Sequence, residues 1–161
     1  MEISQLLSVE RVVCNIAVSS KKRALEAASN LLAEVCGAGM SEIEIFDGLI
    51  AREKLGSTGL GHGVAIPHGR FKDVTEAVAV FIKFEQGVDF DAIDGAPVDL
   101  VFALMVPQES TEEHLQLLAS LAEMFSDATV RERLRQSNIS TEILEVFRNF
   151  SPDDHSVASS R

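Results

Sequence analysis

Two apolar runs constrain the fold of this chain more than anything else in it. Residues 77–84 and 98–106 consist of Ala, Val, Phe, Ile, Leu and Met, interrupted only by Lys83 and Asp99. A strand with one wet face alternates apolar and polar residues; strands this continuously apolar need cover on both faces. Asp94-Gly95 between them is a turn signal. The flanking segments supply the cover. Residues 12–18 read as a short first strand, after which Ser19 or Ser20 can cap a helix with Ala24, Ala28, Leu31, Leu32 and Val35 at helical spacing. Gly37 and Gly39 end it. Ser41 and Glu44 form a capping-box pattern, with Met40 and Ile45 placed as a hydrophobic staple. They open a helix that buries Ile45, Phe46, Leu49 and Ile50 and carries Arg52 at its C-terminal end. Ser110 and Glu113 repeat the capping-box pattern and put His114 in the first turn of a helix whose inward face is Leu117, Leu118, Leu121 and Phe125. Two more helices are expected at 128–136 and, capped by Ser140, at 141–150. The order of strand, two helices, three or more strands and further helices predicts an α/β chain, a sheet sandwiched between helical layers.

Composition narrows the class. The 161 residues fit one domain, here 1–150, followed by a polar tail at 151–161 that reads as disordered. An apolar fraction of 46% excludes a disordered chain. No apolar segment reaches the roughly 18 residues that span a bilayer, and no basic-then-apolar leader opens the sequence. A cytoplasmic protein without membrane insertion is therefore expected. Cys14 and Cys36 have neither metal-ligand spacing nor a disulfide framework and read as reduced and buried. The formal charge of −11 argues against nucleic acid, whose binding rests on basic contacts, and favours a partner with a basic docking face.

The chemistry concentrates in residues 52–70, Arg-Glu-Lys-Leu-Gly-Ser-Thr-Gly-Leu-Gly-His-Gly-Val-Ala-Ile-Pro-His-Gly-Arg. Glycines at 56, 59, 61 and 63 permit positive φ and close approach of main-chain N–H groups to a ligand. Val64-Ala65-Ile66 suits a buried strand end, and Pro67 biases Ile66 toward extended backbone. His68 is thus expected at the tip of a strand, held by a rigid turn, with Gly69 leaving space beside the ring. That setting suits a phosphate-accepting imidazole, which needs a presented neutral nitrogen, room for a bulky anion and nearby donors. Histidine, with an ordinary pKa near 6.5, is largely neutral at cytoplasmic pH. Read from the residues alone, Arg52 is better taken as a solvated helix-end cation and His114 as a satisfied core histidine, while Ser57 and Thr58 are as readily loop-stabilising hydroxyls. His62 precedes the acceptor position and His155 lies in the tail. The alternation Arg131, Arg133, Arg135 reads as a solvated helix surface. No histidine has metal-ligand spacing with a second ligand, which argues against zinc, and no cofactor is called for.

The run Gly-Ser-Thr-Gly-Leu-Gly-His-Gly-Val-Ala-Ile-Pro-His-Gly closely resembles the active-site signature of the mannitol/fructose-type IIA domains of the bacterial phosphotransferase system. Residues 88–107 and Glu113-His114-Leu115 are similar to the same family, so the resemblance spans nearly the whole chain. It implies a three-layer α/β/α sandwich with a mixed central sheet. It also implies that His68 is the phosphoryl acceptor, Arg52 a phosphate clamp and His114 an assisting imidazole, with Ser57 and Thr58 in a hydroxyl-bearing loop that contacts phosphate. Leu-Gly-Ser-Thr-Gly before the Ala-Ile-Pro-His-Gly motif, with no transporter or IIB segment alongside, is most like the nitrogen-regulatory branch. That branch implies phosphoryl flow from phosphoenolpyruvate through enzyme I and an HPr-like phosphocarrier protein to His68. It further implies regulatory targets in potassium transport or nitrogen and carbon metabolism, bound according to phosphorylation state. Two other readings stay open: a sugar-specific IIA serving a fructose or mannitol IIB, and a docking module that no longer transfers phosphate.

Overall fold

The structure, a computed structural model, describes residues 3–37, 39–109 and 111–150. Two 3-10 turns, Ile3–Leu6 and Val9–Arg11, lead into β1 (Val12–Ile16), α1 (Lys21–Val35) and α2 (Glu42–Glu53). Three short strands follow, β2 (Gly59–Gly61), β3 (Val64–Ala65) and β4 (His68–Phe71), then the long β5 (Val78–Val88) and β6 (Val98–Pro107). Helices α3 (Thr111–Ser126), α4 (Ala128–Gln136) and α5 (Ser140–Asn149) complete the described chain. The sheet order is β1-β5-β6-β3-β2, with β4 also on β6. It is mixed: β1 runs parallel to β5, β5 antiparallel to β6, and β3 and β4 parallel to β6.

The continuous apolar runs are β5 and β6, and both faces are buried as that pattern requires. Phe81, Phe102 and Leu104 face α3 to α5, where they meet Leu121, Phe125 and Phe147; the Phe81 and Phe147 rings are 5.1 Å apart. Their neighbours Val80, Ile82, Val101 and Met105 point the other way, onto Leu25, Leu32, Ile45 and Leu49 of α1 and α2. Each large side chain so buried contributes about 1.5–3 kcal/mol, and the two-sided arrangement fixes the sheet between its helical layers. Lys83, the charge within the apolar run of β5, donates to the carbonyls of Arg135 and Ser137 at the end of α4. That placement satisfies a buried ammonium with helix C-terminal acceptors.

Helix starts follow the cap chemistry. Ser20 accepts from the Arg23 N–H, and Ser41 both accepts from the Glu44 N–H at 3.2 Å and donates to its carboxylate at 3.3 Å. Four expectations are corrected. β1 stops at Ile16, because Asn15 adopts a φ of 65° and the register shifts there. Ser140 does not cap α5; its hydroxyl donates to the Val12 carbonyl at 2.8 Å and ties the helix to β1. Arg135 is not a solvated cation: it grips both Asp99 oxygens and also donates to the His62 carbonyl. Cys14 and Cys36 are free but half-buried. Ser110 and the 151–161 tail lie outside the described residues.

One register detail positions the site. Val64 and Ala65 stand opposite Leu100 and Val101, and His68 stands opposite Leu104. The offset is unchanged across Ile66 and Pro67. Pro67 has no N–H to give, but its carbonyl accepts from the Leu104 N–H at 2.9 Å. β3 and β4 are therefore one line of chain along β6, interrupted without slipping.

Candidate active site

Alternation along that line decides which side chains meet. Val64 and Ile66 belong to the α3–α5 core and Ala65 and Phe71 to the α1–α2 core. His68 and Arg70, sharing the parity of 64 and 66, therefore face α3. His114 comes to meet them from the first turn of that helix. The two imidazoles lie 5.0 Å apart, centroid to centroid, edge to face at 75°. Both are buried, each with 6% of its surface exposed.

Each ring has one nitrogen committed. Nδ1 of His68 sits 2.7 Å from the Ile66 carbonyl, which can only accept, so Nδ1 carries the proton and Nε2 keeps its lone pair. Nδ1 of His114 faces the Arg70 guanidinium, whose Nε–H donates to it at 3.4 Å. Arginine can only donate, so this nitrogen is bare and Nε2 holds the proton. That Nε2 is buried and has no partner among the described residues. An unmet buried donor costs about 1–3 kcal/mol, and such groups mark places where an acceptor is expected.

Electrostatics keeps both rings neutral. Burial pushes His68 below its ordinary value and the Arg52 and Arg70 charges push it further, against the opposing pull of the Ile66 carbonyl and Glu53. Burial likewise lowers His114, to about 4, with His68, Arg70 and Arg52 adding to the effect. A neutral His68 offers a free lone pair at neutral pH.

Arg52, in the last turn of α2, is half-buried, and its Nη1 donates to the Gly56 carbonyl at 2.9 Å. This bond folds its side chain back over the loop that leaves the helix. The neighbouring Glu53 is buried, ion-paired to Lys21 at 2.9 Å, and accepts from both the N–H and the hydroxyl of Thr58. Ser57 donates to the Phe90 carbonyl at 2.7 Å while accepting from the Gly59 N–H. The hydroxyl protons of Ser57 and Thr58 are thus spent inside the protein. So are the main-chain N–H groups of Thr58, Gly59 and His62, the last on Asp94. These bonds brace the glycine-rich loop. His62 is exposed in the β2–β3 turn, and His155 is outside the described residues. Among the described residues no group of three or more metal-ligating side chains exists.

Arg70 and Glu53 escaped the sequence reading. Alternation from His68 was the available signal for Arg70. Nothing local marks Glu53, since its partners come from α1 and from beyond the turn.

The family model described as "Phosphoenolpyruvate-dependent sugar phosphotransferase system, EIIA 2" matches residues 5–150. The chain belongs to that family. Its relatives include nitrogen regulatory proteins. That of Pseudomonas aeruginosa is 46% identical over 85% of this chain and 88% of the relative. That of Escherichia coli is 39% identical over 96% and 95%. The crystal structure of nitrogen regulatory protein IIA-Ntr from Neisseria meningitidis superposes with a TM-score of 0.85 at 44% identity, over 90% of this chain and 98% of that one. The IIA mannitol component in a complex with phosphorylated IIB, from Escherichia coli, gives 0.75 at 28%, over 89% and 98%. The mixed sheet between helical layers in this IIA chain is therefore the mannitol-type IIA fold. No helix among its described residues is long and apolar enough to cross a membrane.

Proposed function

We propose that this IIA chain is a phosphohistidine carrier of the nitrogen-regulatory phosphotransferase branch, accepting its phosphoryl group on His68 Nε2 from an HPr-like protein. The observation that carries the reading is the pairing of a bare, oriented Nε2 on His68 with an unpartnered donor, Nε2–H, on the adjacent His114. The lone pair of His68 Nε2 forms the new N–P bond as the donor's N–P bond breaks, and that bond's electron pair returns to the donor imidazole. The proton retained on Nδ1 keeps donating to the Ile66 carbonyl, which stabilises positive charge developing on the ring. His114 donates to a phosphoryl oxygen and Arg52 balances its charge, which is the positioning and charge compensation that a loose, anionic transition state needs. Ser57 and Thr58 act through the loop, holding it in place, with Glu53 as their anchor.

The nitrogen-regulatory assignment rests on relatives of that name at 39–46% identity. Its regulatory output follows from adding about −1.5 to −2 of charge to the docking face, which changes which targets bind; targets in potassium transport or nitrogen and carbon metabolism fit that branch. The test is intact mass after incubation with phosphoenolpyruvate, enzyme I and the HPr-like donor, alongside His68→Ala. One acid-labile phosphoryl adduct, missing in the variant, is expected. An unmodified wild-type chain beside a competent donor leaves only a docking role. Likeness to a mannitol IIA bound to phosphorylated IIB supports one other reading, a sugar-specific component, and rapid transfer from phospho-His68 to a IIB cysteine would decide for it.

A further inference from the structure

We propose that Arg70 is a positioning residue for the transfer at His68: its guanidinium holds His114 in the one protonation state whose buried Nε2 can donate to a phosphoryl oxygen. The inference rests on the carrier reading above for its kinetic consequence, but its structural content stands apart from it.

Three observations carry the proposal. Arg70 shares the face of His68 through strand alternation, and its Nε lies 3.4 Å from His114 Nδ1. The opposite nitrogen, Nε2, is buried without a partner. The two imidazoles are in edge-to-face contact at 5.0 Å. A neutral imidazole has one proton and two sites for it. With the proton on Nδ1, two donors would confront each other at Arg70, and Nε2 would turn a lone pair toward the place an anionic group must occupy. With the proton on Nε2, both conflicts vanish. Because guanidinium stays charged at every accessible pH, the preference does not switch off. Arg70 also opposes the imidazolium form, which carries protons on both nitrogens.

The charged groups around His114 bear on the same point. Arg70 and His68 approach from β4 and Arg52 from α2. Glu113 on its own helix and Glu76 before β5 line, together with His114, a cavity of about 150 Å³. Both carboxylates are exposed; burial acts most strongly in keeping the ring neutral, with His68, Arg70 and Arg52 adding to it. Among the described residues Arg70 alone is hydrogen-bonded to Nδ1 of His114. His68 is oriented by a main-chain carbonyl and has no equivalent dependence on a side chain.

Arg70 is exposed, so substitution there leaves the core intact. Long-range proton–nitrogen NMR correlation of the imidazoles reads the tautomer and the titration of His114 directly, with no phosphoryl donor present. In the wild type the expected pattern is a proton on Nε2 alone. Arg70→Glu supplies an acceptor in place of a donor, and should move the proton to Nδ1 and raise the titration midpoint. Arg70→Met should raise the midpoint less and slow phosphoryl transfer by about tenfold, the order expected for losing the support of a transition-state donor and not the donor itself. Arg70→Lys, which restores a donor, should recover most of the rate. An unaltered tautomer and midpoint in Arg70→Glu overturns the proposal, as does wild-type transfer by Arg70→Met. If wild-type His68 accepts no phosphoryl group while the tautomer responds as stated, the carrier reading fails and the control of His114 by Arg70 stands.

Discussion

The two imidazoles at the centre of this molecule are held by different means. His68 is set by main chain: strand register places it, the Ile66 carbonyl orients it, and Pro67 stiffens the approach. His114 is set by side chain: a helix delivers the ring, and Arg70 from another element engages its nitrogen. Main-chain control survives changes in the neighbouring side chains, whereas side-chain control is only as secure as one residue. The acceptor, without which the proposed transfer has no chemistry, has the sturdier arrangement. The assisting group has the one that substitution can tune.

This contrast can be broken or sharpened in order of effect. His114→Ala should slow phosphoryl transfer by about 10²–10³-fold, the usual cost of one transition-state donor, while His68 remains modifiable; stopped-flow or quenched transfer assays give the rate, and an unchanged rate removes His114 from the reaction. Glu53→Gln strips the carboxylate from Lys21 and Thr58 and should cost about 2 kcal/mol in urea unfolding, with slower transfer because the loop under Arg52 loosens. If it unfolds at the wild-type midpoint, the loop is not braced as described.

The pH dependence follows from the same burial. His68 and His114 are both lowered in the folded protein from an ordinary value of 6.5, His114 to about 4. Between those values the unfolded chain binds protons that the folded chain refuses. Stability that is full above pH 6.5 is therefore lost as pH falls toward 4, and His114→Ala should flatten the slope of the unfolding midpoint against pH. The smallest effect is expected from Ile66→Val, which keeps the carbonyl. It should cost about 1 kcal/mol in stability and leave the transfer rate alone; a slowed rate would mean that the side chain at 66, and not its carbonyl, sets His68.

What the sequence revealed of this arrangement follows the same division. The apolar runs specified β5 and β6, and local cap chemistry marked α1 and α2, because both signals lie within a few residues of what they determine. His68 was legible for that reason as a residue at a strand end after Ala-Ile-Pro, but not that the chain runs on through it as β4 instead of turning. Contacts that depend on distant elements were not. Arg135 reads as a surface charge until Asp99 is brought beside it, Ser140 reads as a cap until β1 offers the Val12 carbonyl, and Glu53 reads as one more helical acid until Lys21 and Thr58 close on it. From sequence Ser57 and Thr58 read equally as phosphate contacts or as loop-stabilising hydroxyls, and only the fold shows where their protons go.

The unbroken offset from Val64 to Phe71 along β6 has a consequence for how this chain can vary. Side chains there are dealt alternately to two sides, so the stretch works as a counting frame. Losing or gaining a single residue between Ala65 and His68 would hand the imidazole to the apolar layer around Phe71 and turn a glycine toward α3. A substitution in this segment alters one side chain on one side, whereas a change of length alters which side every later side chain takes.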